Sequence, residues 1–188
     1  MPVQREATMA DRDKAGGRPA PKKLALENFS GDVFVLDDDL LARGSQAAAE
    51  SPRLRIIYPV QRTQGDLVQR LLNFMQPGTY VMPHMHPMPH ATESIILYRG
   101  AIQFYIFNDT GAVTHSFRLE AGRPNCMVDI SPRVWHSFEV LEKDTVLIEF
   151  KKGPYDAQTD KVFAEWAPEE DSGETEAFLN RLRLRNTH

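Results

Sequence analysis

Two hydrophobic patterns divide this chain. From residue 80 to residue 151, short apolar runs rich in β-branched and aromatic side chains recur between turn signals. The runs 93–99, 101–107, 112–119, 126–130, 136–141 and 145–151 each suit a strand, with turns at Gly100, at residues 108–111 and at Ala121-Gly122. Together with the extended stretch that begins at Tyr80 they make seven strands at regular spacing with no helix among them. That pattern predicts an antiparallel barrel or a double-sheet jelly roll.

Upstream the spacing changes. Residues 32–36 predict a short strand, and Asp37 to Asp39 offer N-caps for a helix carried by Leu40, Leu41 and Ala47 to Ala49, with Gly44 weakening its middle. Residues 54–60 predict a strand that ends near Pro59. A second helix is predicted over 67–75: Asp66 is its cap, Gln69 its capping-box partner, and Leu67, Val68, Leu71, Leu72 and Met75 share one stripe. Pro77-Gly78 closes it. Residues 174–185 place acids before arginines, as a helix dipole favours, with Phe178, Leu179 and Leu182 on one side. Residues 1–25 are polar, glycine- and proline-bearing and without apolar periodicity, which predicts a disordered tail, a solvated leader more than a basic arm.

The chemistry concentrates in one stretch. His84 and His86 flank one residue, and side chains two apart on extended backbone share a face, so both imidazoles point the same way. Glu93 opens the next strand, and His136 opens a later one after the turn at Pro132. Three histidines and a carboxylate converging in a barrel form a donor set for one divalent ion. A lone histidine is more often a surface or hydrogen-bonded side chain; three at strand positions weigh towards a metal. An inward Glu93 needs a cation, because glutamate is seldom buried without a partner. Six residues, 87–92, separate His86 from Glu93, and His90 among them is either an alternative fourth ligand or a residue of the pocket mouth. Tyr98 and Trp135 are candidate pocket residues, although aromatics on alternating strands chiefly fill barrels.

Gly78, His84, His86, Glu93 and Gly100, followed by Pro132 and His136, resemble the two motifs of the cupin family. The loop before Glu93 is longer than the family's, and Arg133 or Val134 stands where its second motif has a glycine. Ser51-Pro-Arg, the Leu-Val-Gln-Arg-Leu-Leu-Asn segment, Pro-His-x-His-Pro and Gly-Pro-Tyr-Asp at 153–156 narrow the resemblance to the WbuC-type cupin metalloproteins over about residues 30–170. The resemblance implies a mainly β fold, a cupin double-stranded β-helix (jelly-roll) barrel with an N-terminal α/β extension and a short C-terminal helix. In that frame residues 26–170 form a single cupin domain with its barrel core at 77–151, and 171–188 form the C-terminal helix or tail. It also implies one divalent ion (Zn, Ni, Fe or Mn) on His84, His86, Glu93 and His136, and a sugar or nucleotide-sugar ligand in bacterial surface-polysaccharide synthesis.

Composition narrows the partners. The net charge of −4 offers no footprint for nucleic acid, and no apolar run approaches the roughly 18 residues that cross a bilayer. A single cysteine, Cys126, cannot form an internal disulfide and fits a reducing cytoplasm. The expected partner is a small-molecule ligand, with a homodimer as the assembly left open. Two classes of function remain: a metal enzyme of isomerase or epimerase type with the ion as Lewis acid, and a non-catalytic module that binds or senses a small ligand. An iron dioxygenase is a weaker third.

Overall fold

The structure, a computed structural model, describes residues 23–185; the expected tail at 1–25 lies almost wholly outside them. The elements in chain order are α1 (Asp38–Glu50), β1 (Arg55–Pro59), β2 (Val68–Met75), β3 (His84–Met85), β4 (Glu93–Arg99), β5 (Ala101–Phe107), β6 (Val113–Glu120), β7 (Met127–Ile130), β8 (Trp135–Val140), β9 (Thr145–Lys152), β10 (Val162–Phe163) and α2 (Thr175–Arg185). Two antiparallel five-stranded sheets face each other, one in the order β1-β2-β9-β4-β7 and the other β10-β3-β8-β5-β6. Chain neighbours β4 and β5 lie in different sheets, as do β8 and β9, so the chain winds back and forth between the layers as a jelly roll. The strands expected over 93–151 are present within a residue or two of their expected ends, whereas the extended stretch that begins at Tyr80 is regular strand only at His84–Met85.

Packing forms layers. Between the sheets, Ile95, Leu97, Ile102, Phe104, Phe138 and Leu147 form the barrel core. Outside the first sheet, α1 lays Leu40, Leu41 and Ala48 on Leu72, Phe74 and Val146. Outside the second sheet, Phe178, Leu179 and Leu182 of α2 cover Tyr105 and Phe107, and Arg183 bonds Glu139 of β8. The C-terminal helix thus packs on its own barrel. Gly100 sits at φ +77, and a Cβ there would lie 2.2 Å from Thr145 Oγ1, so the β4–β5 turn needs glycine for conformation and for space.

Two expected elements differ. Residues 67–75 form no helix; 68–75 are β2, a central strand between β1 and β9. Gln69, Leu71, Asn73 and Met75 face the barrel interior, while Leu72 and Phe74 face α1. A strand buried on both faces loses its alternation, and its apolar residues then mimic a helical stripe. Asp66 instead closes the preceding turn, accepting from Arg62 N and Thr63 Oγ1. Residues 32–36 form no strand: Val33 and Val35 are 78% and 68% exposed. The edge of β1 is taken instead by the segment at Ala25, where Leu26 N donates to Ile57 O and Ile57 N to Leu24 O. The two-residue β10 had no expectation at all.

Gly44 of α1 marks how closely helix and sheet approach, since a Cβ there would lie 2.4 Å from the fully buried Phe74 ring. Gly44→Ala should lower stability by about 1–3 kcal/mol by urea denaturation, even though alanine is the better helix former by about 1 kcal/mol. In a Phe74→Leu background the same substitution should turn neutral or stabilising; an unchanged penalty there would place the clash elsewhere.

Candidate metal centre

The four expected ligands meet. His84 on β3 is the register partner of His136 on β8, and Glu93 at the start of β4 faces them from the other sheet. One donor atom from each of His84, His86, Glu93 and His136 lies within 4.8 Å of all the others, and all four side chains are buried. Two donors across an ion at bonds of about 2.1 Å stand about 4.2 Å apart, so the set closes on a metal with a movement of roughly half an ångström.

The histidines are oriented from behind. His84 Nδ1 bonds Met82 O at 2.9 Å, His86 Nδ1 bonds Asp160 O at 2.5 Å, and His136 Nδ1 bonds Val134 O at 2.9 Å. A carbonyl oxygen only accepts, so each Nδ1 carries the proton and each Nε2 presents a lone pair. His86 Nε2 and His136 Nε2 lie 3.3 and 3.1 Å from Glu93 Oε2, yet none of these three buried atoms has a hydrogen-bond partner. Lone pairs turned on a carboxylate oxygen with no proton between them are the arrangement a cation resolves. Burial, and then the charge of Lys161, push the His84 imidazole well below its ordinary value and keep it in the neutral form a metal needs. Burial disfavours the charged Glu93 carboxylate, and only positive charge at the His136 and His86 rings, or a cation standing in its place between them, outweighs that and lowers the carboxyl.

The second motif's turn departs from glycine in sequence but not in shape. Arg133 takes φ +64, its N–H donates to His86 O at 2.9 Å, and its Nε donates to Pro87 O at 3.1 Å. The left-handed position is kept at a cost of about 1 kcal/mol, and the residue standing there ties the His136 turn to the His86 strand.

The three other candidates are not among the residues lining the cavity. His90 is exposed in a turn of the loop before Glu93, outside the donor group. Tyr98 follows Leu97 on β4; Leu97 points inward, and Tyr98 points out, 46% exposed. Trp135 lies on the outer face of the second sheet, edge-on to Trp166, and its Nε1 donates to Asp109. Alternation explains both aromatics, since the neighbours Leu97 and His136 claim the inner face.

The cavity beside the donors measures about 380 Å³. It lies between the inner face of β1 and β2 and the short strands β3 and β10. Its polar wall was missed. Glu149 and Lys151 point inward from β9, where Lys151 is the register partner of Glu93. Asn73 Nδ2 donates to Glu149 Oε2 at 3.0 Å, and burial, then the neighbouring Glu93, push the Glu149 carboxyl up to about 7. Lys151 Nζ meets Asp160 Oδ1 at 2.5 Å. Burial disfavours its charge, but the carboxylates of Glu149 and Asp160 outweigh that and raise its pKa. Glu149 and Lys151 stand two apart on a predicted strand, in phase with the core residue Leu147, and that phase was the available signal.

Asp160 belongs to the segment after β9 that begins with Gly-Pro-Tyr-Asp at 153–156. Asp156 is a turn-maker, accepting from Gln158 N and Thr159 Oγ1. The segment then crosses the barrel mouth: β10 pairs with β3, and Ala164 N donates to Pro83 O.

A family profile described as a domain of unknown function, DUF6016, matches residues 36–119. No curated protein matches the sequence. Among solved structures, the chain is similar to oxalate oxidase in complex with the substrate analogue glycolate, at 16% identity and a TM-score of 0.46, over 61% of this chain and 57% of that one. Oxalate decarboxylase of Bacillus subtilis at pH 4.6 aligns at 13% identity and 0.45, over 58% of this chain and 27% of that one. Oxalate decarboxylase of Lactobacillus farciminis, as its formate complex, aligns at 17% and 0.41, over 52% and 27%. The chain therefore spans less than two thirds of each of these proteins. Its own strand order, with three histidines and a glutamate gathered between the sheets, defines a double-sheet jelly roll with a candidate site for a single metal ion.

The Lys151–Asp160 pair is buried, so removing one partner strands a charge. Lys151→Met should destabilise the fold by roughly 3 kcal/mol in urea denaturation, and Lys151→Met/Asp160→Asn should recover most of that. Equal losses in the single and the double variant would show that the pair's charge is not what matters.

Proposed function

We propose that this chain is a mononuclear metal cupin acting on a small molecule held in the cavity beside His84, His86, Glu93 and His136. The observation that carries the reading is the tautomer set: three Nδ1–H groups committed to backbone carbonyls, with Nε2 of His86 and His136 and Oε2 of Glu93 buried and without hydrogen-bond partners. When bound, a divalent ion at these residues supplies Lewis acidity to a coordinated ligand oxygen. Around it, the backbone carbonyls fix the imidazoles, Asn73 orients Glu149, and the Asp160 segment shields the mouth from water.

The cavity is at the small end of ligand sites, suited to one small organic molecule. The WbuC-type resemblance supports a carbohydrate-like ligand and isomerase or epimerase chemistry in surface-polysaccharide synthesis, and rests on the quoted motifs alone. Among the described residues no helix is long and apolar enough to cross a membrane.

Elemental analysis of the purified protein should find about one divalent ion per chain, because one complete donor set is present. His86→Ala and His136→Ala should abolish uptake, Glu93→Gln should weaken it, and His90→Ala should leave it intact. A metal-free His90→Ala protein beside a fully loaded Glu93→Gln would exchange the roles of those two residues.

Chelation should lower the melting temperature while leaving the strand signal in circular dichroism unchanged at room temperature. Three hydrophobic clusters hold the fold without the ion, and binding at a thousandfold excess over Kd adds only about 4 kcal/mol. Loss of strand signal on chelation would mean that the ion, and not the core, holds the barrel.

A further inference from the structure

Among the described residues four side chains with an ammonium or guanidinium line the cavity, and three are engaged. Arg53 and Arg55 both bond Glu170, at 2.5 and 2.9 Å, and Lys151 bonds Asp160 at 2.5 Å. Lys161 differs. Its ammonium reaches Asp160 Oδ2 at 4.0 Å, beyond hydrogen-bond length, and that carboxylate already serves Lys151. Among the described residues it makes no other ion pair. The side chain is 35% exposed, reachable from solvent yet part of the cavity wall.

Its position is set by the site itself. Phe163 is the register partner of His84 and Val162 that of Met85, so Lys161, one step further back, stands level with His86. The carbonyl of the residue before it, Asp160, is the one that holds His86 Nδ1. Lys161 shares a strand face with Phe163, whose ring lies 6.1 Å from His84, and its charge is felt at both His84 and Glu149. With a divalent ion in place, Glu93, Glu149 and Asp160 do not cancel the ion together with Lys151 and Lys161, so the mouth keeps an excess of positive charge. Ile57, Leu71, Ile95 and Phe138 add apolar lining to the same cavity.

We propose that the ligand of this site is a small organic anion, and that Lys161 is the residue that binds its negative group while another of its oxygens faces the three histidines and Glu93. The inference rests on the metal reading above and adds the ligand's charge and the residue that selects for it. A carboxylate and a phosphate share the required chemistry, since an ammonium acts on either as a point charge. A neutral polyol of the same size leaves Lys161 unpartnered.

Cobalt(II)-loaded protein, followed by its visible absorption, is titrated with lactate, with inorganic phosphate and with propane-1,2-diol, which is lactate with its carboxylate reduced to an alcohol. At least one anion should bind ten times or more tighter than the diol; lactate tighter than phosphate assigns a carboxylate, and the reverse a phosphate. Lys161→Met should hold cobalt as the wild type does and lose about tenfold in affinity for that anion, with Lys161→Arg keeping most of it. The advantage over the diol should also shrink as salt rises. Cobalt uptake intact with anion affinity unchanged in Lys161→Met, or a diol that binds as tightly as either anion, overturns this proposal alone. Failure of the wild-type protein to take up cobalt overturns the metal reading and this one with it.

Discussion

A buried imidazole whose Nδ1–H is tied to a carbonyl has a single lone pair left, and in this molecule that constraint is imposed three times around one point. The carbonyls of Met82 and Val134 belong to backbone two residues before their histidines, so His84 and His136 are oriented locally. His86 is held from far along the chain, by Asp160. Burying Glu93 against these rings would be costly without a cation to share, and the absence of hydrogen-bond partners at Glu93 Oε2 and two of the Nε2 atoms is the mark of that cost.

The same constraint explains why the segment after β9 matters more than its irregular appearance suggests. It supplies the carbonyl for His86, the carboxylate for Lys151, and the short β10 that completes the second sheet beside β3. The short strands β3 and β10 and the inner face of β1 and β2 enclose the cavity between them, so one irregular edge of the second sheet helps to build both the donor group and the pocket.

Burial on both faces recurs as the source of misreading. β2 sits between two strands, under α1 on one side and over the cavity on the other. Its inner row mixes Gln69 and Asn73 with Leu71 and Met75, because part of that row faces polar chemistry and part faces core. β9 does the same with Leu147, Glu149 and Lys151. Polar residues on an inward face signify a lined cavity, whereas an alternation rule that equates polar with outward assigns them to solvent.

The barrel strands β4 to β9, the helices α1 and α2, and the convergence of His84, His86, Glu93 and His136 were legible from the sequence alone. They rest on short-range rules: period-two alternation, a cap at Asp37, a glycine turn at Gly100, and a His-x-His spacing that puts two rings on one face. Only the tertiary structure decided that 68–75 is a strand, that Tyr98 and Trp135 face outward, and that Lys161 stands beside the donors with its ammonium 4.0 Å from Asp160 Oδ2. Each of these depends on which distant segment covers which face, as when Asn73 meets Glu149 across 76 residues of chain, and local spacing carries no record of such meetings.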